Sequence, residues 1–383
     1  MTVQNPIAFI DLAAQQARIR ADLDRAIGRV LDHGGYIMGP DVKEFEKNLA
    51  AFCGAKHALG CANGTDALML ALMALDVGAG DAVFIPSFTF AATAEVVPLI
   101  GATPVFVDSD ERTFNIDPAS LERSIAEARR AGLRPRVVIP VDLFGLPADM
   151  PSIEAIAEAE GLEIICDSAQ GFGGTIDGRM TGTFGRITTT SFFPAKPLGC
   201  YGDGGAVFTQ DDDLAKVLDS LRVHGKGADK YDNVRIGLNS RLDTLQAAIL
   251  SVKLDIYAAE IEERNRIAAR YSERLSNVVE VPHIPSGYES VWAQYTVKLV
   301  SREQRAAVQK ALGAVGVPTQ VYYMSPLHMQ TLYASYPKDP LGVKGAERIA
   351  AQVMSLPMHP YLELETQNFI IDQLHAAIDA ARL

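Results

Sequence analysis

A regular alternation of short apolar runs and helical stretches between residues 57 and 223 is the feature that most constrains the fold of this chain. The apolar runs have the length of buried strands, and the stretches between them repeat apolar residues with helical spacing. The predicted strands are residues 57–61, 82–85, 104–107, 137–141, 162–166, 187–193 and 206–209. The predicted helices are residues 64–76, 90–100, 117–131, 151–160 and 211–223. This order predicts an α/β layer with a mainly parallel, seven-stranded sheet.

The segments on either side of the alternation are also largely helical. An apolar stripe predicts a helix over residues 12–31, and Pro40 with acidic residues behind it predicts the start of another. A long helical pattern over residues 242–275 then leads into a region of mixed elements. Its two strands and three helices are predicted at 291–300, 303–315, 318–323, 344–353 and 365–381. We expect two domains: residues 1–245 hold the N-terminal helix and the large α/β domain, and residues 246–383 hold a connecting helix and a small α+β domain.

Charge and composition exclude several classes of protein. The 383 residues carry a net charge of -12, which argues against a nucleic-acid surface because phosphate backbones bind clustered Lys and Arg. No apolar stretch approaches the roughly 18 residues of a membrane span, and the first residues lack the pattern of a signal peptide. The four cysteines have neither C-x-x-C spacing nor the density of a disulfide scaffold. We expect a cytoplasmic protein with reduced cysteines, no metal site, and no nucleic-acid or membrane partner.

Polar and aromatic residues follow several predicted strands, and ligands of parallel sheets bind at the carboxyl ends of strands. Asn63, Gly64 and Thr65 open a helix whose free N–H groups either bind a phosphate or belong to an ordinary cap. Thr89 and Phe90 follow the next strand, and Phe90 either stacks on a planar ring or fills the core. These positions are candidates for a binding site at one edge of the sheet.

A carboxylate and a lysine follow two other strands. Asp167 ends an apolar run, where it needs a cationic or hydrogen-bonding partner to stay ionised, unless it is an ordinary helix cap. Lys196 lies between Pro194 and Pro197, in a stiff turn behind a strand that carries Ser191. A lysine amine, a carboxylate, phosphate donors and a stacking face are together what pyridoxal phosphate requires.

Several motifs also resemble a known family. GTDAL at 64–68, DSAQ at 167–170, SFFPAKPLGCYGDGG at 191–205 and GLNSRLDTLQAA at 237–248 are similar to motifs of the DegT/DnrJ/StrS sugar aminotransferases. The similarity runs in order through nearly the whole chain, from FIDLAAQQ to MSLPMHPYL. It implies fold type I and pyridoxal 5′-phosphate as cofactor. It is strongest toward enzymes of the WbpE and WlbC type, which aminate C3 of a UDP-N-acetyl-3-keto-hexuronic acid for surface polysaccharide such as O-antigen.

The resemblance implies a role for each matching residue. Lys196 matches the lysine that binds the cofactor covalently and then moves a proton, and Asp167 matches the acid that faces the pyridine nitrogen. Gln170 matches the residue near the ring hydroxyl, and Asn239 matches one that reaches the phosphate of the neighbouring subunit's cofactor. The other implied cofactor contacts are Asn63, Gly64, Thr65, Phe90 and Ser191. These correspondences imply a homodimer with active sites at the subunit interface.

Two further segments are candidates for the substrate pocket. Tyr322, Tyr323 and His328 resemble a family loop of HYPxPLH type, although Tyr322 stands where many members have His and Met324 where they have Pro. His328 can equally be a packing histidine. The other segment carries basic side chains that either meet a diphosphate or carboxylate or lie on a solvated loop. They are Lys226, Lys230, Arg235 and Arg241.

The resemblance implies a two-step transamination with L-glutamate as amino donor and a nucleotide-linked keto sugar as acceptor. The implied acceptor is a UDP-2-acetamido-3-keto-hexuronic acid, and the alternative is a dTDP- or GDP-linked 3-keto- or 4-keto-6-deoxy sugar. Family members that replace the lysine by histidine dehydrate their substrate, and Lys196 argues against that reaction. An alternative of another class is a regulator or scaffold that keeps the fold without turnover.

Overall fold

The computed structural model describes residues 6–229 and 231–381 of the chain. The helices in these ranges are α1 (Leu12–His33), α2 (Pro40–Cys53), α3 (Gly64–Ala74), α4 (Ala92–Leu99), α5 (Pro118–Arg130), α6 (Met150–Glu160), α7 (Asp212–Leu221), α8 (Thr244–Leu275), α9 (Arg302–Ala314), α10 (Lys344–Gln352) and α11 (Leu364–Ala380). The strands are β1 (His57–Cys61), β2 (Asp81–Pro86), β3 (Thr103–Val107), β4 (Arg134–Val138), β5 (Glu163–Asp167), β6 (Thr175–Ile176), β7 (Arg179–Met180), β8 (Ile187–Ser191), β9 (Gly205–Thr209), β10 (Tyr288–Glu289), β11 (Tyr295–Lys298) and β12 (Val353–Leu356).

Seven of these strands form the central sheet, in the order β1-β9-β8-β5-β4-β2-β3. Neighbours from β8 to β3 run parallel, whereas β9 runs antiparallel to both β8 and β1. Helices α3, α4 and α7 cover one face, and α5 and α6 cover the other. Because both faces are covered, the central strands are buried almost throughout rather than at alternate positions, including the threonines of β8. The mainly parallel, seven-stranded sheet expected from the alternation is confirmed.

Two strands of the central sheet end earlier than the sequence predicts. β4 ends at Val138 rather than at residue 141, because Pro140 has no N–H group to continue the ladder. β8 ends at Ser191 rather than at residue 193, and the carbonyl of Phe192 then accepts the N–H of Cys200 at 2.8 Å. The hydrogen bond between Cys200 and Phe192 closes the loop that contains Lys196.

A second hydrophobic core forms between the C-terminal half of α8 and the elements α9, α11, β11 and β12. The strand predicted at 318–323 is wrong, because in that range Gln320 alone pairs, with Ser355, before the chain turns toward the central sheet. The position beside β11 is taken by β12, a four-residue strand that the sequence pattern does not predict. The helix predicted over 242–275 is present as α8, and its N-terminal half packs against α1 and α2 of the large domain.

Part of the C-terminal region lies against the large domain. We call residues 327–346 the edge segment. Within it, the backbone of Pro337 and Asp339 pairs with Phe106 of β3, and the carboxylate of Asp339 accepts hydrogen bonds from Ser120 and Arg123 of α5. Leu327 and Tyr333 belong to the same core as α3 and α4. The boundary predicted at residue 245 therefore stays a prediction, since this stretch of the C-terminal region packs with the N-terminal one.

In the described part of the chain, no helix combines the length and the apolar character needed to cross a membrane.

Candidate active site

The predicted site residues gather at the carboxyl ends of the strands of the central sheet. β1, β2, β5 and β8 all run in the same direction, so their carboxyl ends open onto a common edge. β1 leads into Gly64, β2 leads toward Phe90, β5 ends in Asp167 and β8 leads into the loop of Lys196. Side chains that lie a hundred or more positions apart in the sequence are thereby brought to one edge of the sheet.

The N-terminus of α3 forms a cradle for an anion. Asn63 has an extended backbone, and its side-chain oxygen accepts the N–H of Asp66 at 2.8 Å, which ends the strand and starts the helix. The N–H groups of Gly64 and Thr65 belong to the first turn, where no helical carbonyl precedes them. A Cβ on Gly64 would lie 2.7 Å from Cβ of Ser191, so only glycine lets the helix end meet the end of β8. Free N–H groups, a helix dipole and the Ser191 hydroxyl fit a phosphate.

Asp167 is buried at the end of β5, with 5% of its surface exposed. Its carboxylate accepts the hydroxyl of Thr93 at 2.9 Å and the N–H of Ala169 at 3.2 Å. Burial raises the pKa of Asp167, and these two donors and the Lys196 ammonium oppose that rise. A buried carboxylate with partial hydrogen bonding can hold a proton on a basic ring nitrogen placed against it.

Lys196 lies half-buried in the loop that follows β8. The backbone N–H of Lys196 donates to the carbonyl of Phe193 at 2.8 Å. A Cβ on Gly199 would lie 2.4 Å from the carbonyl oxygen of Pro194, so the loop is tightly closed. Burial lowers the pKa of the Lys196 amine, and attraction to Asp167 opposes this. A lowered pKa leaves more of the amine neutral, which is the form that attacks an aldehyde.

Gln170 is fixed by a hydrogen bond at each end of its amide. Its oxygen accepts the N–H of Phe144 at 2.8 Å, and its nitrogen donates to the hydroxyl of Tyr323 at 3.2 Å. Since the Phe144 N–H can only donate, the amide oxygen must face it, and the amide N–H groups face the site. Burial raises the pKa of Tyr323 far above its ordinary value, which keeps that hydroxyl protonated.

Phe90 is 55% exposed, and its ring centroid lies 6.3 Å from that of Tyr323. This exposure excludes the core-filling alternative, because a core phenylalanine would be covered on both faces. The ring therefore has a free face beside Tyr323, and its predicted stacking role remains a prediction.

The predicted substrate residues divide into two groups. Tyr322 lies between Phe9 and Tyr323, with ring centroids 6.4 and 6.0 Å away. His328 is buried, its Nδ1 is 2.6 Å from the hydroxyl of Ser87, and its Nε2 is 3.2 Å from the carboxylate of Glu347. Both ring nitrogens of His328 are thus engaged within the protein, which favours the packing alternative.

The segment that contains Asn239 and Arg241 passes beside the cradle of its own chain. The hydroxyl of Ser240 accepts the N–H of Ala62 at 3.2 Å, immediately before the N-terminus of α3. Lys226 and Arg235 lie on a hairpin at 225–237 in which Lys226 pairs with Asn233, whereas Lys230 lies outside the described residues. Arg241 is thus placed near the N-terminus of α3, and Lys226 and Arg235 are placed on a projecting loop.

Three contacts around the candidate site do not follow from the sequence pattern: Thr93 with Asp167, Phe144 with Gln170, and Lys253 with Gly199. The ammonium of Lys253, buried in α8, donates to the carbonyl of Gly199 at 2.6 Å and lies 4.1 Å from the ring centroid of Tyr201. Thr93 has a signal in the sequence, a hydroxyl in the first turn after a strand end, but its direction depends on the helix orientation. Lys253 and Phe144 have none, since their partners lie 54 and 26 residues away.

Comparison with known proteins agrees with this geometry. The model of the DegT/DnrJ/EryC1/StrS aminotransferase family matches residues 17–375. UDP-2-acetamido-2-deoxy-3-oxo-D-glucuronate aminotransferase of Pseudomonas aeruginosa is 50% identical over 366 residues, which are 95% of this chain and 98% of that protein. A crystal structure of a DegT DnrJ EryC1 StrS aminotransferase from Brucella abortus has a TM-score of 0.95 and 53% identity, covering 97% of this chain and 99% of the other. NtdA from Bacillus subtilis, solved with bound cofactor PMP, has a TM-score of 0.87 and 31% identity, covering 97% and 83%.

These matches extend over nearly the full length of the chain, and they include the strand ends that carry Lys196, Asp167 and the cradle. The predicted fold type I architecture is confirmed by the sheet and by its structural neighbours. The chain belongs to the DegT/DnrJ/EryC1/StrS aminotransferase family.

Proposed function

We propose that this enzyme transfers an amino group from L-glutamate to C3 of a UDP-linked 2-acetamido-3-keto-hexuronic acid. The observation that carries the reaction is the position of Lys196 and the buried Asp167 carboxylate beyond the ends of two neighbouring parallel strands, where their charges attract each other. The choice of sugar is supported by the Pseudomonas aeruginosa relative, whose name specifies a UDP-linked 3-oxo-glucuronate. The cofactor is pyridoxal 5′-phosphate.

When bound, pyridoxal phosphate withdraws electrons from the amino-bearing carbon and carries the amino group between donor and acceptor. Lys196 supplies the amine that holds the cofactor aldehyde, and when displaced by substrate it accepts and returns the proton of the reacting carbon. Asp167 holds a proton on the pyridine nitrogen. Gln170 directs an amide N–H toward the ring hydroxyl, and Phe90 covers one face of the ring.

The phosphate is bound by the cradle that Asn63, Gly64, Thr65 and Ser191 form. Neutral N–H groups at a helix N-terminus bind a doubly charged anion with the help of the helix dipole. We assign Asn239 to the same phosphate across a dimer interface. The exposed apolar residues Val234 and Ile236 on the neighbouring hairpin support this assembly, since a single chain leaves them in solvent.

We assign the nucleotide-sugar side of the site to Tyr322, Tyr323 and Arg241. Arg241 is the candidate for the sugar carboxylate or the diphosphate, because a guanidinium binds either group with two parallel hydrogen bonds. We leave His328 out of this set because its ring nitrogens are engaged by Ser87 and Glu347. The free state of all four cysteines is in keeping with a cytoplasmic enzyme that prepares sugars for surface polysaccharide.

The substrate proposal is tested by single turnovers of the purified holoenzyme. Glutamate should bleach the visible absorption of the lysine-bound cofactor and release 2-oxoglutarate, and the UDP-3-keto-hexuronic acid should restore the absorption. The matching dTDP- and GDP-linked 3-keto and 4-keto-6-deoxy sugars are compared at equal concentration, and K196A is the control. If one of those sugars restores the absorption faster than the UDP-3-keto-hexuronic acid does, that sugar is the better substrate and the proposed one is wrong. Failure of glutamate to bleach the cofactor would favour the scaffold alternative.

The shared active site has its own test. K196A and N239A are each expected to be poorly active as pure dimers. If Asn239 serves the neighbouring subunit, co-expressed K196A and N239A chains form mixed dimers in which one of the two sites is intact, and activity returns. Activity no higher than that of the pure variants would place Asn239 in its own subunit's site.

A further inference from the structure

A hydroxyl pair lies beneath Asp167 on the side of α4. Thr93, in the first turn of that helix, donates its hydroxyl proton to Oδ2 of Asp167 at 2.9 Å. The hydroxyl oxygen of Thr89 lies 3.3 Å from that of Thr93. A hydroxyl has one proton to donate, so the proton between the two threonines must come from Thr89.

Both hydroxyls are sealed from solvent. Thr93 is 1% exposed and Thr89 is 3% exposed, so water does not compete with either hydrogen bond. The same turn carries Phe90, whose carbonyl accepts the N–H of Thr93. The predicted stacking ring and the donor to Asp167 are therefore parts of one short turn and are positioned together.

The surroundings of Asp167 make a neutral donor important. Burial favours the protonated carboxyl and so raises the pKa of Asp167. The Lys196 ammonium favours the ionised form, but its amine is committed to the aldehyde when the cofactor is bound. Thr93 and the N–H of Ala169 are then the neutral donors that remain on the carboxylate.

The consequence concerns the position of one proton. Where a carboxylate faces a pyridine nitrogen, the proton stays on nitrogen only if the carboxylate is the weaker base. A hydrogen bond donated to the carboxylate lowers its basicity. Loss of that bond in a buried site would let the proton move from the nitrogen to the aspartate, which would abolish the positive charge on the ring.

We propose that Thr93 is a positioning residue, supported by Thr89. It keeps the proton that lies between Asp167 and the cofactor ring nitrogen on the nitrogen. The proposal rests on the proposed function only in requiring bound pyridoxal phosphate, and it is independent of the sugar. Thr93 does not touch the reacting atoms and acts through Asp167. A threonine that merely packed or capped α4 would leave the ring nitrogen unaffected.

The test is ¹⁵N NMR of holoenzyme reconstituted with ring-¹⁵N-labelled pyridoxal phosphate, because the nitrogen shift reports protonation without any substrate. In T93V the shift should move toward the unprotonated value, while T93S should keep the wild-type value because it retains the donor. T89V should give a smaller change in the same direction. The matched control is T188V, which removes a buried hydroxyl that donates to the carbonyl of Phe184 at 2.9 Å and not to Asp167.

Kinetics of the glutamate half-reaction provide a second readout. Because a hydrogen bond to a charged group is lost, the rate constant of T93V should fall about tenfold to a hundredfold, with little change in the glutamate concentration for half-saturation. T93S should recover most of that loss.

A wild-type nitrogen shift in T93V with a rate within twofold of wild type would overturn the proposal, as would an equal shift in T188V. If T93V does not fold, wild-type behaviour of T93S together with a T89V shift still supports it, and an unchanged T89V shift contradicts it. Failure of the sugar assignment would change none of these measurements.

Discussion

The proposed cofactor side of the site and the proposed substrate side are built in different ways. On the cofactor side, Asp167, Gly64 and Lys196 follow the ends of central strands and are held by short hydrogen bonds and close backbone packing. On the substrate side, Tyr322 and Arg241 belong to segments without regular structure, and the adjoining hairpin is exposed. Rigid elements suit chemistry that is common to a family, and loops allow the substrate to change without rebuilding the core.

Replacing Lys196 should give the largest effect. K196A removes both the amine that binds the cofactor and the group that moves the proton, so transamination should fall by several powers of ten. Lys196 is half-buried and burial lowers the pKa of its amine, so its loss should not lower the melting temperature. Rapid-mixing measurements of the glutamate half-reaction and thermal unfolding check both statements. Substantial residual turnover would mean that another residue performs this step.

Replacing Asp167 by asparagine should rank second. D167N keeps the shape and a hydrogen-bonding group but cannot hold a positive ring nitrogen by charge, so both half-reactions should slow by about three powers of ten or more. The matched control is D142N, which alters a neighbouring buried carboxyl whose pKa burial raises to about 7. D142N should slow the reaction far less. Comparable losses in the two variants would remove the special role of Asp167.

An Arg241 variant tests the other side of the comparison. R241Q should raise the KM for the UDP-keto sugar about tenfold to a hundredfold, because a charged bidentate contact is lost, while the glutamate half-reaction stays close to wild type. Steady-state kinetics with each substrate varied separately make the distinction. R235Q, on the projecting hairpin, is the control. Equal damage to both half-reactions would show that Arg241 belongs to the cofactor side.

The smallest effect on catalysis is expected for His328. H328Q should leave the sugar KM within about twofold, yet it should cost about 1–2 kcal/mol of unfolding free energy through the lost contacts with Ser87 and Glu347. Burial lowers the pKa of His328 below its ordinary value of 6.5. Between the lowered pKa of the folded protein and pH 6.5, the unfolded chain therefore binds more protons than the folded one. Wild-type stability from this group is therefore complete above pH 6.5 and declines as the pH falls through and below it, and H328Q should lack that decline. Denaturant titrations at several pH values measure this, and a tenfold rise in KM would restore His328 to the substrate pocket.

The same contrast explains what the sequence could predict. The seven strands and the helices between them follow from periodicity, because each strand is buried on both faces by its own neighbours in the chain. Lys196, Asp167 and Gly64 were identifiable because strand ends and helix starts locate them. The contacts of Thr93, Phe144 and Lys253 were not, because they depend on how distant elements are oriented. The strand expected at 318–323 failed for a related reason, since pairing is decided by which segment reaches β11.

The edge segment has a consequence for how the protein is made. β3 is the outermost strand of the sheet, and its free edge is paired in part by Pro337 and Asp339, which are synthesised much later. Until those residues leave the ribosome, the large domain presents an unprotected apolar strand that can pair with another nascent chain. Chains truncated before the edge segment should therefore aggregate even where the sheet itself can form.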